Sequence, residues 1–117
     1  MPRDARAYLS DIVESCDAIA VALAEMDVDA YLSNRLVRSS VERELTIAGE
    51  AIAVLSRKAP EVFSAITEAR RIVDFRNQLT HAYPAIDDEA VWVIAHRDVP
   101  VLRGECEALL TQLDSAE

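Results

Sequence analysis

The chain is poor in the residues that make tight turns. It has two glycines and four prolines in 117 residues, and no Asn-Gly or Asp-Gly pair. Regular β-hairpins depend on such residues for their positive-φ turns, so a β-rich fold lacks its usual connections here. Aromatics are also few: one Trp, three Tyr and two Phe. The two cysteines, Cys16 and Cys106, lie far apart and lack the spacing of a metal site. Both fall at apolar helical positions and read as reduced core residues of a cytoplasmic protein. No apolar run approaches the length needed to span a membrane. Nor does Met1-Pro2-Arg3-Asp4 lead into a stretch resembling a signal peptide. Positive charge is scarce: 12 Lys and Arg stand against 21 Asp and Glu, a net charge of −9. That argues against a general nucleic-acid coat, because phosphate binding is driven by Lys and Arg. It leaves room for a local basic site or a basic partner. There is no glycine-rich phosphate loop and no convincing metal cluster, so no cofactor or metal is expected.

What the chain does have is helix. Ala, Leu, Glu and Arg are abundant, all good helix formers. About half the residues are hydrophobic, enough for a core in a single domain spanning residues 1–117. Tyr8, Ile12, Cys16, Ile19 and Leu23 recur every three or four residues and predict a first helix over about residues 3–25. The stretch from Asp27 to Asn34 reads as a connector with a short turn. Leu36, Val41, Leu45, Ala48, Ile52 and Leu55 predict a second helix over about 35–57. Gly49 lies inside it and, flanked by Ala48 and Ala51, marks a close helix–helix approach more readily than a break. Pro60 ends this region, and Glu61 to Ile66 suit a short helical turn. Ile72, Phe75, Leu79 and Ala82 give a third long helix, which must stop near Tyr83 because Pro84 follows. Asp87 or Asp88 can cap the last helix, whose stripe is Val91, Ile94, Leu102, Leu109 and Leu113. Pro100 should kink it. The expected architecture is all-α, an up-and-down bundle of four to five helices.

One segment carries chemistry. Residues 75–84 read Phe-Arg-Asn-Gln-Leu-Thr-His-Ala-Tyr-Pro. Asn77 and His81 are four apart and share a helix face; Arg76 and Tyr83 are seven apart and nearly share one. Arg70 and Arg71 lie one to two turns upstream, completing the one local basic cluster near a histidine. The free carbonyls of that helix end favour a cation. Histidine serves as general acid or base near neutrality, and arginine holds a phosphate through two parallel hydrogen bonds. Asn77 can orient the imidazole or the substrate. Together these groups suit RNA cleavage without a metal, with Arg76 stabilising charge on the phosphate. A second proton donor is missing, since His96 lies far along the last helix. A two-fold dimer would supply it by bringing two copies of His81 to one cleft. The plainer reading of a lone helix-end histidine is a cap or a surface residue, and of Tyr83 a packing residue. Glu50 reads equally as a partner for an arginine or a surface salt bridge. Trp92 reads as core or interface more than as a base-stacking platform. Glu42, Arg43 and Glu44 read as a solvated face.

Arg76, four residues, His81, one residue and Tyr83 together resemble the Arg-x4-His-x-Tyr motif of HepT-like proteins in the HEPN superfamily. Asn77 matches the polar residue that follows the motif arginine. The likeness extends along the chain. Arg3-Asp4, Tyr8-Leu9 and Asp11-Ile12 resemble the family's opening. Val41, Arg43, Leu45, Ile47 and Gly49-Glu50-Ala51 resemble its second helix, and Asp87 with Val91-Trp92 the start of its last. Thr46, Asp74, Thr80 and Ala82 depart from the family's usual residues and leave the motif intact. The resemblance implies a helical homodimer with two motifs facing one cleft. It implies a toxin that is a metal-independent endoribonuclease working through this motif; Arg76, His81 and Asn77 are then the catalytic candidates, and the basic cluster itself makes Arg70 and Arg71 candidates for substrate binding. It also implies an MntA-type minimal nucleotidyltransferase antitoxin, which neutralises the toxin by transferring AMP to the motif tyrosine, here Tyr83. The competing expectation is a non-catalytic substrate or scaffold for a nucleotidyltransferase, which the charge of −9 favours. A plain helical dimerisation domain would leave the motif unexplained.

Overall fold

The computed structural model describes residues 3–81 and 86–115, and every regular element among them is helical. We label them α1 (Ala5–Leu23), α2 (Val28–Leu32), α3 (Arg35–Lys58), α4 (Pro60–Ser64) and α5 (Ala69–His81). The last, α6, runs without a break through Asp88–Val93, a π-helical turn at Ile94–Asp98, and Val99–Ser115. The described residues thus form six helices, not four to five. The difference lies in the connectors, where α2 and α4 each complete a short helix.

Local chemistry sets most boundaries. Side chains of Asp4, Asp27 and Asn34 accept hydrogen bonds from the Ala7, Ala30 and Val37 amides at 3.3, 2.8 and 3.1 Å. The Asp87 carboxylate accepts from both the Glu89 and Ala90 amides at 3.1 Å. Each cap satisfies an amide that has no partner inside its helix, typically contributing ~1 kcal/mol. Pro60 acts as a beginning: α3 has already ended at Lys58, and the proline opens α4, where its missing N–H costs nothing. Glutamates occupy the positions where a glycine would ease a left-handed turn. Glu25 and Glu68 take φ of 63° and 59°.

Helix α1 packs against α3 on one side and the C-terminal half of α6 on the other. Leu9, Ile12 and Ile19 of α1, Val41, Leu45, Ile52 and Leu55 of α3, and Leu102 of α6 are all fully buried between them. Each such side chain contributes roughly 1.5–3 kcal/mol of burial. Cys16 and Cys106 are free and buried in the same core, where burial pushes both thiols up to about 12, so they stay protonated near neutrality. Leu36 departs from the expected stripe. It sits in the first turn of α3 with its side chain in solvent, because the neighbouring helices cover the opposite face there.

Among the described residues α5 has its principal packing on α3, which makes it an outer helix. Helix α2 lies against α3 and the start of α6. In this corner Glu42 is half-buried, contrary to the solvated face expected of it. Burial and the nearby Asp88 push its carboxyl above the ordinary glutamate range, against the opposing pull of Arg38. Arg38 also pairs with Asp88 at 3.5 Å. Helix α6 takes up Pro100 by widening. The Val99 N–H donates to the Ile94 carbonyl five residues back, so the turn before the proline is a π turn. Across the start of that turn, the Trp92 and His96 rings stack with centroids 5.1 Å apart, and Trp92 also meets Tyr31 at 5.5 Å. Among the described residues no helix is long and apolar enough to cross a membrane.

Candidate active site

Arg76, Asn77 and His81 are carried by the second half of α5. This helix is amphipathic: Ala69 and Ile72 are buried, while Arg70, Asp74, Asn77 and His81 form an exposed row at helical spacing. His81 is the last residue of α5, where the free carbonyls of the final turn gather. Thr80 adds to this end by donating its hydroxyl to the Arg76 and Asn77 carbonyls at 3.1 and 3.2 Å. Asn77 and His81 therefore share the solvent face, one turn apart.

Arg76 is oriented differently. His81 lies five positions further on, which is about 140° around a helix. Its stem points into the α3–α5 contact and is half-buried. A Cβ built on Gly49 of α3 would lie 2.5 Å from the Arg76 Cβ and 2.8 Å from its Cγ. The Nε atom is sealed from solvent, with no hydrogen-bond partner among the described residues. The close helix approach expected at Gly49 is thus an approach to one residue of the motif.

The two upstream arginines are engaged. The Arg70 guanidinium lies over the Phe63 ring, 5.3 Å from its centroid. Arg71 pairs with Asp98 of the π turn at 3.5 Å, an ion pair without hydrogen-bond geometry. Asp74 sits between Arg70 and His81 along the exposed row. The local positive charge is therefore smaller than a count of arginines suggests. Beside this row, an open groove of about 550 Å³ runs between α5 and α6, lined by Arg71, Asp74, Phe75, Gln78 and Ile94 among others. Sequence periodicity gave no sign of this groove, because it exists only where α5 stands off from α6. Tyr83, with Ala82, Pro84 and Ala85, lies outside the described residues. Glu50 is exposed on α3, next to Gly49. Among the described residues, no three His, Cys, Asp or Glu side chains converge as metal ligands would.

Residues 12–109 match the family described as Ribonuclease HepT-like. The chain belongs to the HepT-like ribonuclease family. The match runs from the middle of α1 through most of α6 and takes in Arg76, Asn77, His81 and Tyr83. Whole-length relatives agree. The protein named "Putative RNase MJ1380" of Methanocaldococcus jannaschii is 33% identical over 105 residues, covering 90% of this chain and 95% of the relative. "Probable ribonuclease HepT" of Thermococcus cleftensis is 30% identical over 112 residues, covering 93% of this chain and 98% of the relative. A second M. jannaschii protein, "Putative RNase MJ0125", is 28% identical over 112 residues, with 96% of both chains covered. No solved structure matches the chain significantly. These relatives of the HepT-like protein are named as ribonucleases, and in this chain α5 presents Asn77 and His81 to solvent with Arg76 against α3.

Proposed function

We propose that this HepT-like protein is the toxin of a toxin–antitoxin pair and cleaves RNA without a metal. Arg76, Asn77 and His81 do the chemistry in a cleft between two copies of the chain. The observation that carries this reading is the family match over residues 12–109 with an Arg-x4-His-x-Tyr sequence whose Arg76 and His81 lie in the second half of α5. His81 takes the proton of a ribose 2′-hydroxyl. The 2′-oxygen attacks the adjacent phosphorus, and the bond from phosphorus to the 5′-oxygen breaks, leaving a cyclic phosphate. The departing oxygen takes a proton from the imidazole of the second copy's His81, since one copy holds a single imidazole at this end of α5. Arg76 neutralises the charge that grows on the phosphate oxygens. Asn77, one turn before His81 on the same face, steadies the imidazole or the ribose.

An MntA-type nucleotidyltransferase is the antitoxin in this reading, and Tyr83 is its target. The tyrosine oxygen attacks the α-phosphorus of ATP, pyrophosphate leaves, and the phenolic proton is released. The AMP group adds negative charge and bulk beside Arg76 and His81, where RNA phosphate would bind. The net charge of −9 favours a second reading, in which the protein is a non-catalytic substrate or scaffold for that nucleotidyltransferase.

The test is cleavage of labelled RNA in EDTA by protein confirmed unmodified by intact mass, with His81→Ala alongside. Cleavage that disappears in the variant supports the nuclease. If the unmodified wild type leaves several RNAs intact, the scaffold reading takes over, and mass spectrometry after incubation with ATP and the nucleotidyltransferase tests Tyr83.

A further inference from the structure

Gly49 sits in the interior of α3 with an ordinary helical backbone, so its presence is not explained by a turn. It is buried, and what presses on it is specific. The atoms that exclude a Cβ are the Cβ and Cγ of Arg76, at 2.5 and 2.8 Å. The nearest backbone atom of α5, the Ile72 carbonyl oxygen, stands at 3.6 Å, an ordinary contact. The glycine therefore makes room chiefly for the root of one side chain. The other glycine of the chain, Gly104, has nothing among the described residues within 4 Å of the same position. Arg76 also has its Nε sealed from solvent and without an acceptor among the described residues. A stem held at its root and closed off at Nε leaves mainly the two terminal nitrogens to meet an anion.

We infer that Gly49 is a positioning residue for Arg76: the missing side chain at 49 is the slot that fixes the arginine stem between α3 and α5 and so aims its guanidinium. This rests on the proposed role of Arg76 at the phosphate. A Cβ at position 49 needs roughly 1 Å more room to reach normal carbon–carbon contact. Because Arg76 Cβ is fixed to the backbone, α5 must shift at this residue, and the guanidinium moves with it. Misplacement of that order at a catalytic group can cost about a hundredfold in rate.

The experiment compares wild type, Gly49→Ala, Gly104→Ala and Arg76→Ala, below the melting temperature of each. The first readout needs no activity: the Nε–Hε resonance of Arg76 in nitrogen-15 spectra, assigned by its loss in Arg76→Ala, and its exchange with water. In wild type this proton should exchange at least tenfold more slowly than those of the exposed Arg35, Arg57 and Arg97. Exchange at their rate overturns the clamp without Gly49→Ala having to fold. In Gly49→Ala the resonance should shift and its exchange quicken, while Gly104→Ala leaves both unchanged. An unaltered Arg76 resonance in folded Gly49→Ala overturns the proposal. The second readout is RNA cleavage. Gly49→Ala should lose tenfold or more in kcat with KM little changed, and Gly104→Ala should cleave as wild type does. Full cleavage by Gly49→Ala beside an inactive Arg76→Ala overturns positioning alone. Full cleavage by Arg76→Ala overturns the role assigned to the arginine, and with it the aim of the clamp, whatever the spectra show of the slot.

Discussion

Gly49 and Gly104 are both helical glycines with ordinary backbone angles, and their substitution by alanine should have opposite signs. At Gly104 an added methyl group meets nothing, so Gly104→Ala should raise stability by about 0.5–1 kcal/mol through helix propensity. At Gly49 the same gain is outweighed by overlap with the Arg76 stem, since overpacking typically costs ~1–3 kcal/mol. Urea denaturation of the two variants against wild type checks both signs. Glu42 gives a pH effect. Its folded-state carboxyl titrates above its unfolded value, so the native state holds the proton more tightly. Stability from that proton is present below the unfolded value and lost as pH rises through the folded one. Glu42→Gln should therefore gain stability at neutral pH and flatten this loss, read from melting temperatures between pH 4 and 8. At this scale Arg76, Asn77 and His81 could be picked out from sequence because they share one helix and one short motif. The burial of Glu42 could not, because Tyr31 and Asp88 reach it from other helices.

Helix α6 begins at Asp88, after the motif segment in the chain, and its first turn is capped by one side chain. The Asp87 carboxylate satisfies two amides there, so Asp87→Ala should cost ~1 kcal/mol, within the usual range of about 0.5–2. The loss should appear in the urea midpoint with the slope unchanged. A replacement by Asn, which also caps, should recover most of it. Helix ends could be read along the chain because caps, prolines and the 3.6-residue period are local. The short helices α2 and α4 stood out only as turns, since five residues carry too little periodicity. Pro100 announced a disturbance in α6 but not its form. Whether a helix bends or widens before a proline depends on what packs around that turn. Here Val99 bonds back to Ile94, and the Trp92–His96 stack lies alongside.

The whole molecule carries a net charge of −9, and RNA must approach it against that field. Salt screens such repulsion, with a Debye length of about 10 Å at 0.1 M. The HepT-like protein should therefore show kcat/KM for RNA rising between about 20 and 150 mM salt, unlike a basic nucleic-acid binder, whose affinity falls. A steady fall instead would mean that the local cations Arg70, Arg71 and Arg76 dominate the encounter. By itself the sequence determined the all-helical class, the extents of the long helices, most of the core and the motif. These follow from periodicity and capping within a few residues of chain. The tertiary structure decided that α5 hangs on α3, that Leu36 faces water, and that Arg76 lies in the slot at Gly49 while His81 faces solvent. Those outcomes depend on which helix covers which face, and a contact between residues 49 and 76 leaves no local signature in either segment.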